Sequence, residues 1–181
     1  MKFAYADPPY LGMAKFYDHP ESAVYDTLQG HAELFVRLEA EFPDGWAYSL
    51  STPTLRQILP LAPGRVRVAA WVKPFASFKP GVNPAYAWEP VIFAGGRKRT
   101  RKESTVRDFV SCNIALKKGF FGAKPEGFCF WLFDLLGMTP DDEFVDIFPG
   151  SGAVGRAWDK YRRLADGMFY TPEIPALNGN S

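Results

Sequence analysis

Apolar positions along this chain recur with two periods, and their alternation outlines a layered domain of strands and helices. Lys2 to Ala6 is a short apolar run that must stop at Asp7-Pro8-Pro9, because prolines cannot donate to a strand ladder. Tyr10 to Gly30 is polar, aromatic and aperiodic, which predicts a loop with one turn of helix. Leu34, Phe35, Leu38 and Phe42 then share one face of a helix over His31 to Phe42, and the Asp44-Gly45 turn leads into a strand from Trp46 to Ser51. Thr52 with Pro53 predicts a capped helix that Pro60 and Pro63 end near Leu59. Arg65 to Val72 reads as a strand entering a core, Phe75 to Tyr86 as a loop, and Trp88 to Phe93 as a strand broken by Gly95-Gly96. Pro125 opens an apolar helix from Glu126 to Leu136, stopped by Gly137 with Pro140 beyond it. Phe144 to Phe148 reads as a buried strand that Pro149-Gly150-Ser151-Gly152 turns into a helix from Ala153 to about Arg163, and the residues from Thr171 on read as a frayed end.

Strands alternating with helices predict a single α/β domain with a mostly parallel sheet and helices on both faces. A length of 181 residues suits one domain, and 47% hydrophobic with 23% charged residues excludes wholesale disorder. The longest charge-free stretch, Gly45 to Leu55, falls short of the roughly 20 apolar residues of a membrane span. The first ten residues carry Asp7 and two prolines where a signal peptide needs an apolar segment, so a cytoplasmic protein is expected. Cys112 and Cys129 lack metal-ligand spacing and read as small core hydrophobes, and His19 and His31 are too isolated to make a metal site. The net charge of +1 conceals one cluster, Arg97, Lys98, Arg99, Arg101, Lys102, Arg107, Lys117 and Lys118, opposed only by Glu103 and Asp108. By itself such a run is a solvated loop.

Two segments place unusual residues at the carboxyl end of an expected strand, where open α/β sheets bind ligands. Asp7-Pro8-Pro9-Tyr10 combines a carboxylate, a rigid backbone with an unpaired Pro8 carbonyl, and a flat aromatic wall. Those groups suit an amino group on an aromatic ring, although a strand-ending turn capped by Asp explains the tetrapeptide equally well. Asp146 and Phe148-Pro149-Gly150-Ser151-Gly152 join a strand to a helix whose free N–H groups can approach a ligand closely, while a plain tight turn is the simpler reading.

Taken together, the two segments resemble motifs IV (DPPY) and I (FxGxG) of the amino-methyltransferases, which move a methyl group from S-adenosylmethionine to an exocyclic nitrogen of adenine or cytosine in DNA. Gly122-Ala123-Lys124-Pro125 resembles motif X of the same family. The order IV, X, I is similar to its circularly permuted classes, and the matching segments bracket residues 3 to 158. The resemblance implies a Rossmann-like methyltransferase fold, truncated after the motif I helix, with a catalytic half (1–96), a basic loop (97–121), a cofactor half (122–170) and a tail (171–181). It implies that Asp7 and the Pro8 carbonyl hold the target amine, that Pro9 fixes the turn and that Tyr10 stacks on a base drawn from its duplex. It further implies S-adenosylmethionine bound by Asp146, Phe148, Gly150, Ser151 and Gly152, with Lys124 and Pro125 near its methionine end.

After the motif I helix the family has a strand ending in an acid that bonds the ribose, for which Gly167 to Thr171 with Glu173 offers a remnant at most. The resemblance therefore implies a weakly held cofactor, or a second copy or partner subunit that completes the pocket. With a DNA substrate implied, Arg97, Lys98, Arg99, Arg101 and Lys102 become candidates for phosphate contact, and Phe16, Tyr17 and Tyr25 for closing over a flipped base. DPPY favours adenine N6 within the resemblance. Cytosine N4, RNA, a binding module without turnover, and a dinucleotide-dependent oxidoreductase remain open alternatives.

Overall fold

The computed structural model describes residues 1–13, 20–75, 80–114 and 123–165. Phe16, Tyr17, His19, Lys117, Lys118, Gly122, the Gly167 to Thr171 segment and Glu173 lie outside the described residues. Strands β1 (Lys2–Ala6), β2 (Gly45–Ser49), β3 (Arg67–Val72), β4 (Trp88–Gly95), β5 (Phe109–Ser111) and β6 (Glu143–Asp146) form one sheet in the order β5-β3-β4-β2-β1-β6. β1 runs parallel to β2 and β6, and β3 runs parallel to β5. Only β4 is reversed against its neighbours, so the sheet is mostly parallel, as expected.

Helices cover both faces. α1 (Leu28–Glu41) and α2 (Leu55–Ile58) bring Leu34, Phe35, Leu38 and Ile58 against Ala4, Ala6, Trp46, Tyr48 and Ile92. α3 (Glu126–Leu136) and α4 (Ala153–Ala165) cover the opposite face, where Phe3, Tyr5, Ala47, Trp71, Val91 and Phe93 meet Phe128, Leu132 and Phe133. Phe3, Phe128, Leu132 and Phe133 are fully buried, and each contributes roughly 1.5–3 kcal/mol. α4 closes the second layer through Trp158 and Tyr161, both in edge contact with Phe133. Among the described residues no helix is long and apolar enough to cross a membrane.

The elements follow the sequence pattern closely where a period or a stop signal exists. α3 has the expected limits, and Gly137 ends it at φ +65°, a backbone conformation that favours glycine. α1 begins at Leu28 rather than His31, because the Thr27 hydroxyl accepts the Gly30 N–H and supplies the cap before the apolar period starts. Thr52 does not cap the next helix. Its hydroxyl donates to the Trp88 carbonyl, and the chain winds as a 3-10 turn, α2 and a second 3-10 turn around Pro53 and Pro60. β5 is an addition to the elements read from sequence: three residues are too few to show a period.

Candidate functional site

Side chains alternate across a strand, so a row that begins in the core continues in register to the strand's end. On the α3 face the rows are Phe3 and Tyr5 on β1, Ala47 on β2, Ala69 and Trp71 on β3, Val91 and Phe93 on β4, and Phe144 on β6. The next positions in these rows, toward the carboxyl ends of the parallel strands, are Asp7, Ser49, Lys73, Glu89 and Asp146. β4 is reversed, so its second residue reaches the edge where the other strands end. Five apolar rows thus end in polar groups at one edge, beneath the loop that opens α3.

The loop supplies Lys124, whose side chain is 4% exposed. Its ammonium lies 3.0 Å from Asp7 Oδ2 and 3.5 Å from Glu89 Oε2. Glu89 also takes an ion pair from Lys73 through Oε1. The Tyr10 hydroxyl donates to Glu89 Oε2 at 3.0 Å and lies 3.4 Å from Asp7 Oδ1. Two carboxylates and two ammonium groups therefore balance around one tyrosine hydroxyl. Burial, helped by the Glu89 charge, pushes the Asp7 pKa up despite the pull of Lys124. Burial acts on Glu89 too, but Lys124 and Lys73 hold it below the usual carboxylate range. Lys124 resists the downward push of burial because Asp7, Tyr5 and Glu89 face it, and it stays charged. Beneath this layer Tyr5 and Ser49 share a hydrogen bond of 2.7 Å.

One strand over, both carboxylate oxygens of Asp146 are buried, and no group, the Phe148 N–H included, makes a hydrogen bond of good geometry to them. Burial and the nearby Asp7 charge push its pKa up to about 6, against weaker pulls from the Phe148 N–H and Lys124. An orphaned carboxylate costs stability unless a ligand completes it. The turn that follows has Gly150 at φ +44° and Gly152 at φ +68°, so no Cβ covers the backbone at these two positions. Pro149 and Gly150 are exposed, Ser151 is half-buried, and Phe148 packs edge-on to Tyr25 at 5.0 Å. Among the described residues no group of three His, Cys, Asp or Glu side chains converges on a metal position. His31 is instead bonded through Nδ1 to the Tyr48 hydroxyl in the core of the α1 face.

The structure therefore brings Asp7, Pro8, Pro9, Tyr10, Lys124, Asp146 and the glycine turn to one edge. Pro8 and Pro9 are buried under Asp7, and Pro125 stands immediately before α3. Lys124, read from sequence as a cofactor residue, has its ammonium on the DPPY carboxylate. Glu89 and Lys73 escaped the sequence reading. Their signal is one acid and one base continuing otherwise apolar rows, visible only when strand parity is followed past the core. The basic run lies elsewhere: it follows β4, whose end pairs with the amino end of β2, at the edge opposite Asp7. Arg97 grips both Asp142 oxygens at 2.7 and 2.8 Å and donates to the Gly137 carbonyl, and Arg99 donates to the Asp134 carbonyl. These two arginines hold the carboxyl end of α3, while Lys98, Arg101 and Lys102 are exposed.

No protein-family model matches the chain, and no curated protein matches it. Solved structures do. A crystal structure of the M1.HpyAVI-SAM complex aligns with a TM-score of 0.58 at 16% identity, covering 89% of this chain and 78% of that one. A crystal structure of M1.HpyAVI aligns with a TM-score of 0.55 at 16% identity, covering 89% and 76%. The likeness extends over most of both chains and establishes a Rossmann-like α/β fold of the kind found in those two structures.

Proposed function

We propose that this chain transfers a methyl group from S-adenosylmethionine to the exocyclic N6 of adenine in DNA. The observation that carries the reading is the pairing of two unlike carboxylates on adjacent parallel strands. Both residues are half-buried, but Asp7 is held by Lys124 and Tyr10, whereas the buried oxygens of Asp146 face no cation or hydroxyl within hydrogen-bond distance. The fold likeness to a structure described as a complex with SAM supports the choice of cofactor.

The residues present fit that cofactor. Asp146 offers a desolvated acceptor for an ammonium group, Gly150 and Ser151 offer backbone N–H groups ahead of α4, Gly152 closes the turn by donating its own N–H to the Pro149 carbonyl, and Phe148 and Pro125 offer apolar walls. When bound, S-adenosylmethionine supplies an electrophilic sulfonium methyl. The work of this chain's residues lies on the amine. An aniline-like nitrogen is a weak nucleophile, because its lone pair is delocalised into the ring. Hydrogen bonds from its N–H groups to Asp7 and the Pro8 carbonyl localise that pair on nitrogen. As the nitrogen–methyl bond forms and the methyl–sulfur bond breaks, positive charge moves from sulfur to nitrogen, beside Asp7. The nitrogen then loses one proton, for which Asp7 is the nearest acceptor. Tyr10 forms the flat wall against the base.

The test is transfer of a labelled methyl group to oligonucleotides with one unpaired adenine or cytosine, in DNA and RNA forms, with the product identified by mass spectrometry. N6-methyladenine in the DNA form is expected. Labelled cytosine or RNA would move the activity to that substrate, and cofactor binding without transfer to any of them would leave a binding module. Asp7→Asn is expected to lower turnover about 10²–10⁴-fold while cofactor affinity measured by calorimetry stays within about twofold.

A further inference from the structure

Glu89 occupies the centre of the polar edge, yet the proposed chemistry assigns it nothing. It touches three groups from three parts of the chain. Lys73, just past β3, pairs with its Oε1, and Oε2 accepts the Tyr10 hydroxyl at 3.0 Å and faces Lys124 Nζ at 3.5 Å. Through Tyr10 and Lys124 it reaches Asp7, which both of them contact. Lys73 is itself fixed, with its ammonium 4.5 Å from the centre of the Trp71 ring. The side chains of Lys73 and Glu89 are 15% and 18% exposed, so the pair is shielded enough for its geometry to be defined.

The physical need for such a pair follows from the charges. Lys124 is nearly fully buried and lies 3.0 Å from Asp7. Unopposed, its ammonium would claim the Asp7 carboxylate and repel the positive charge that develops on the target nitrogen. A second carboxylate, Glu89 at 3.5 Å from the same ammonium, divides that positive charge and leaves Asp7 free to accept an amine N–H. The same carboxylate anchors the Tyr10 hydroxyl, which fixes the ring plane against which a base would stack.

We infer that Glu89, held by Lys73, is a positioning residue that sets Asp7 and Tyr10 for the target amine by way of the Lys124 ammonium and the Tyr10 hydroxyl. This rests on the methyltransferase reading above. Glu89 touches neither the reacting nitrogen nor the methyl donor, so its loss changes the target side and not the cofactor side.

The experiment compares the unaltered protein with Glu89→Gln, which keeps an acceptor for Tyr10 and loses the charge, and with Lys73→Met and Lys73→Arg. Turnover, cofactor affinity by calorimetry and the pH profile of kcat are measured for each. For Glu89→Gln, kcat is expected to fall about tenfold to a hundredfold with cofactor affinity within about twofold. The Glu89 charge raises the Asp7 pKa, so the acid limb of the profile is expected to move to lower pH in this variant. The other groups facing Asp7, namely Lys124, Tyr5, Tyr10, Tyr48 and Asp146, are unchanged and do not produce that displacement. Lys73→Met is expected to lower kcat in the same direction, and Lys73→Arg to recover part of the loss. An active unaltered protein with equal kcat and an unmoved acid limb in Glu89→Gln would overturn the inference alone. So would a parallel loss of cofactor affinity and turnover. No turnover in the unaltered protein would overturn the functional reading and this inference together.

Discussion

Lys124 Nζ stands 3.0 Å from Asp7 Oδ2, which joins the loop before α3 to the end of β1. The same ammonium lies 5.6 Å from the centre of the Trp71 ring and 6.0 Å from that of Phe128, so it is enclosed by aromatic faces and carboxylates rather than by water. A residue that motif resemblance puts beside the cofactor is thus attached to the carboxylate expected to hold the target. Lys124→Met leaves Asp7 and Glu89 as partly buried acids that repel each other. Its expected cost is about 2 kcal/mol, below that of breaking a fully buried pair because both acids retain some solvent. A urea titration at neutral pH measures it, and adding Asp7→Asn to the same protein is expected to return part of the loss.

Asp146 sets function against stability. Its folded pKa of about 6 lies above that of an unfolded aspartate, so the charged form destabilises the fold at neutral pH. That cost is relieved as pH falls through about 6 and is gone near the unfolded value of about 4. Asp146→Asn is therefore expected to stabilise the ligand-free protein by about 2 kcal/mol at pH 7 and by almost nothing at pH 4. S-adenosylmethionine binding is expected to weaken in the same variant. In the unaltered protein its affinity should decline below pH 6, approaching roughly tenfold per pH unit. Thermal unfolding and calorimetry across this range check both halves.

At the opposite edge the sign reverses. The Asp142 carboxylate is buried, but the Met1 ammonium, Arg97 and the Thr139 N–H and hydroxyl hold its pKa down to about 2. A folded pKa below the unfolded value gives stability that is complete at neutral pH and lost as pH falls from about 4 through about 2. Asp142→Asn is expected to lower stability by about 1–2 kcal/mol at pH 7, discounted for solvent screening at the partly exposed Arg97. The difference from the unaltered protein should shrink toward zero at pH 2, which acid titration of the unfolding equilibrium reads directly.

The basic run divides by the same geometry. Neutralising Lys98, Arg101 and Lys102 is expected to reduce DNA affinity without changing base preference, and to flatten its dependence on salt, as phosphate contacts require. Replacing Arg97 instead is expected to lower thermal stability, since it removes the partner of Asp142 and a donor to the Gly137 carbonyl. Binding of oligonucleotides at two salt concentrations separates the two groups. An unchanged salt slope in the triple variant would assign these residues to a solvated face, consistent with their position across the sheet from Asp7.

Much of the fold was legible because its signals are local. The prolines after Asp7 fix where β1 stops, Gly137 fixes where α3 stops, and the spacing of Leu34, Phe35 and Leu38 fixes the inward face of α1. β5 was not legible, because its partner Ala70 lies far along the chain and three residues carry no periodicity of their own. The DPPY and glycine segments announced the site, since rigid prolines and paired glycines are conspicuous at strand ends. Glu89 was silent there because a lone acid near the start of a strand is ordinary until its neighbours in space are known.

The sequence by itself determined the two periods, the strand ends and the residue types available to the site. Alternation along each strand also determined that Asp7, Lys73, Glu89 and Asp146 continue apolar rows. Only the tertiary structure decided that these rows end side by side. The reversal of β4 brings Glu89 to the edge where β1 and β3 finish, and the α3 loop lowers Lys124 between Glu89 and Asp7. It also sent Arg97 to the far edge, where the end of β4 meets Asp142. The physical reason is one of range: hydrogen-bond periodicity and backbone stiffness act within a segment, whereas charge balance is set by residues distant in sequence that the sheet order makes neighbours.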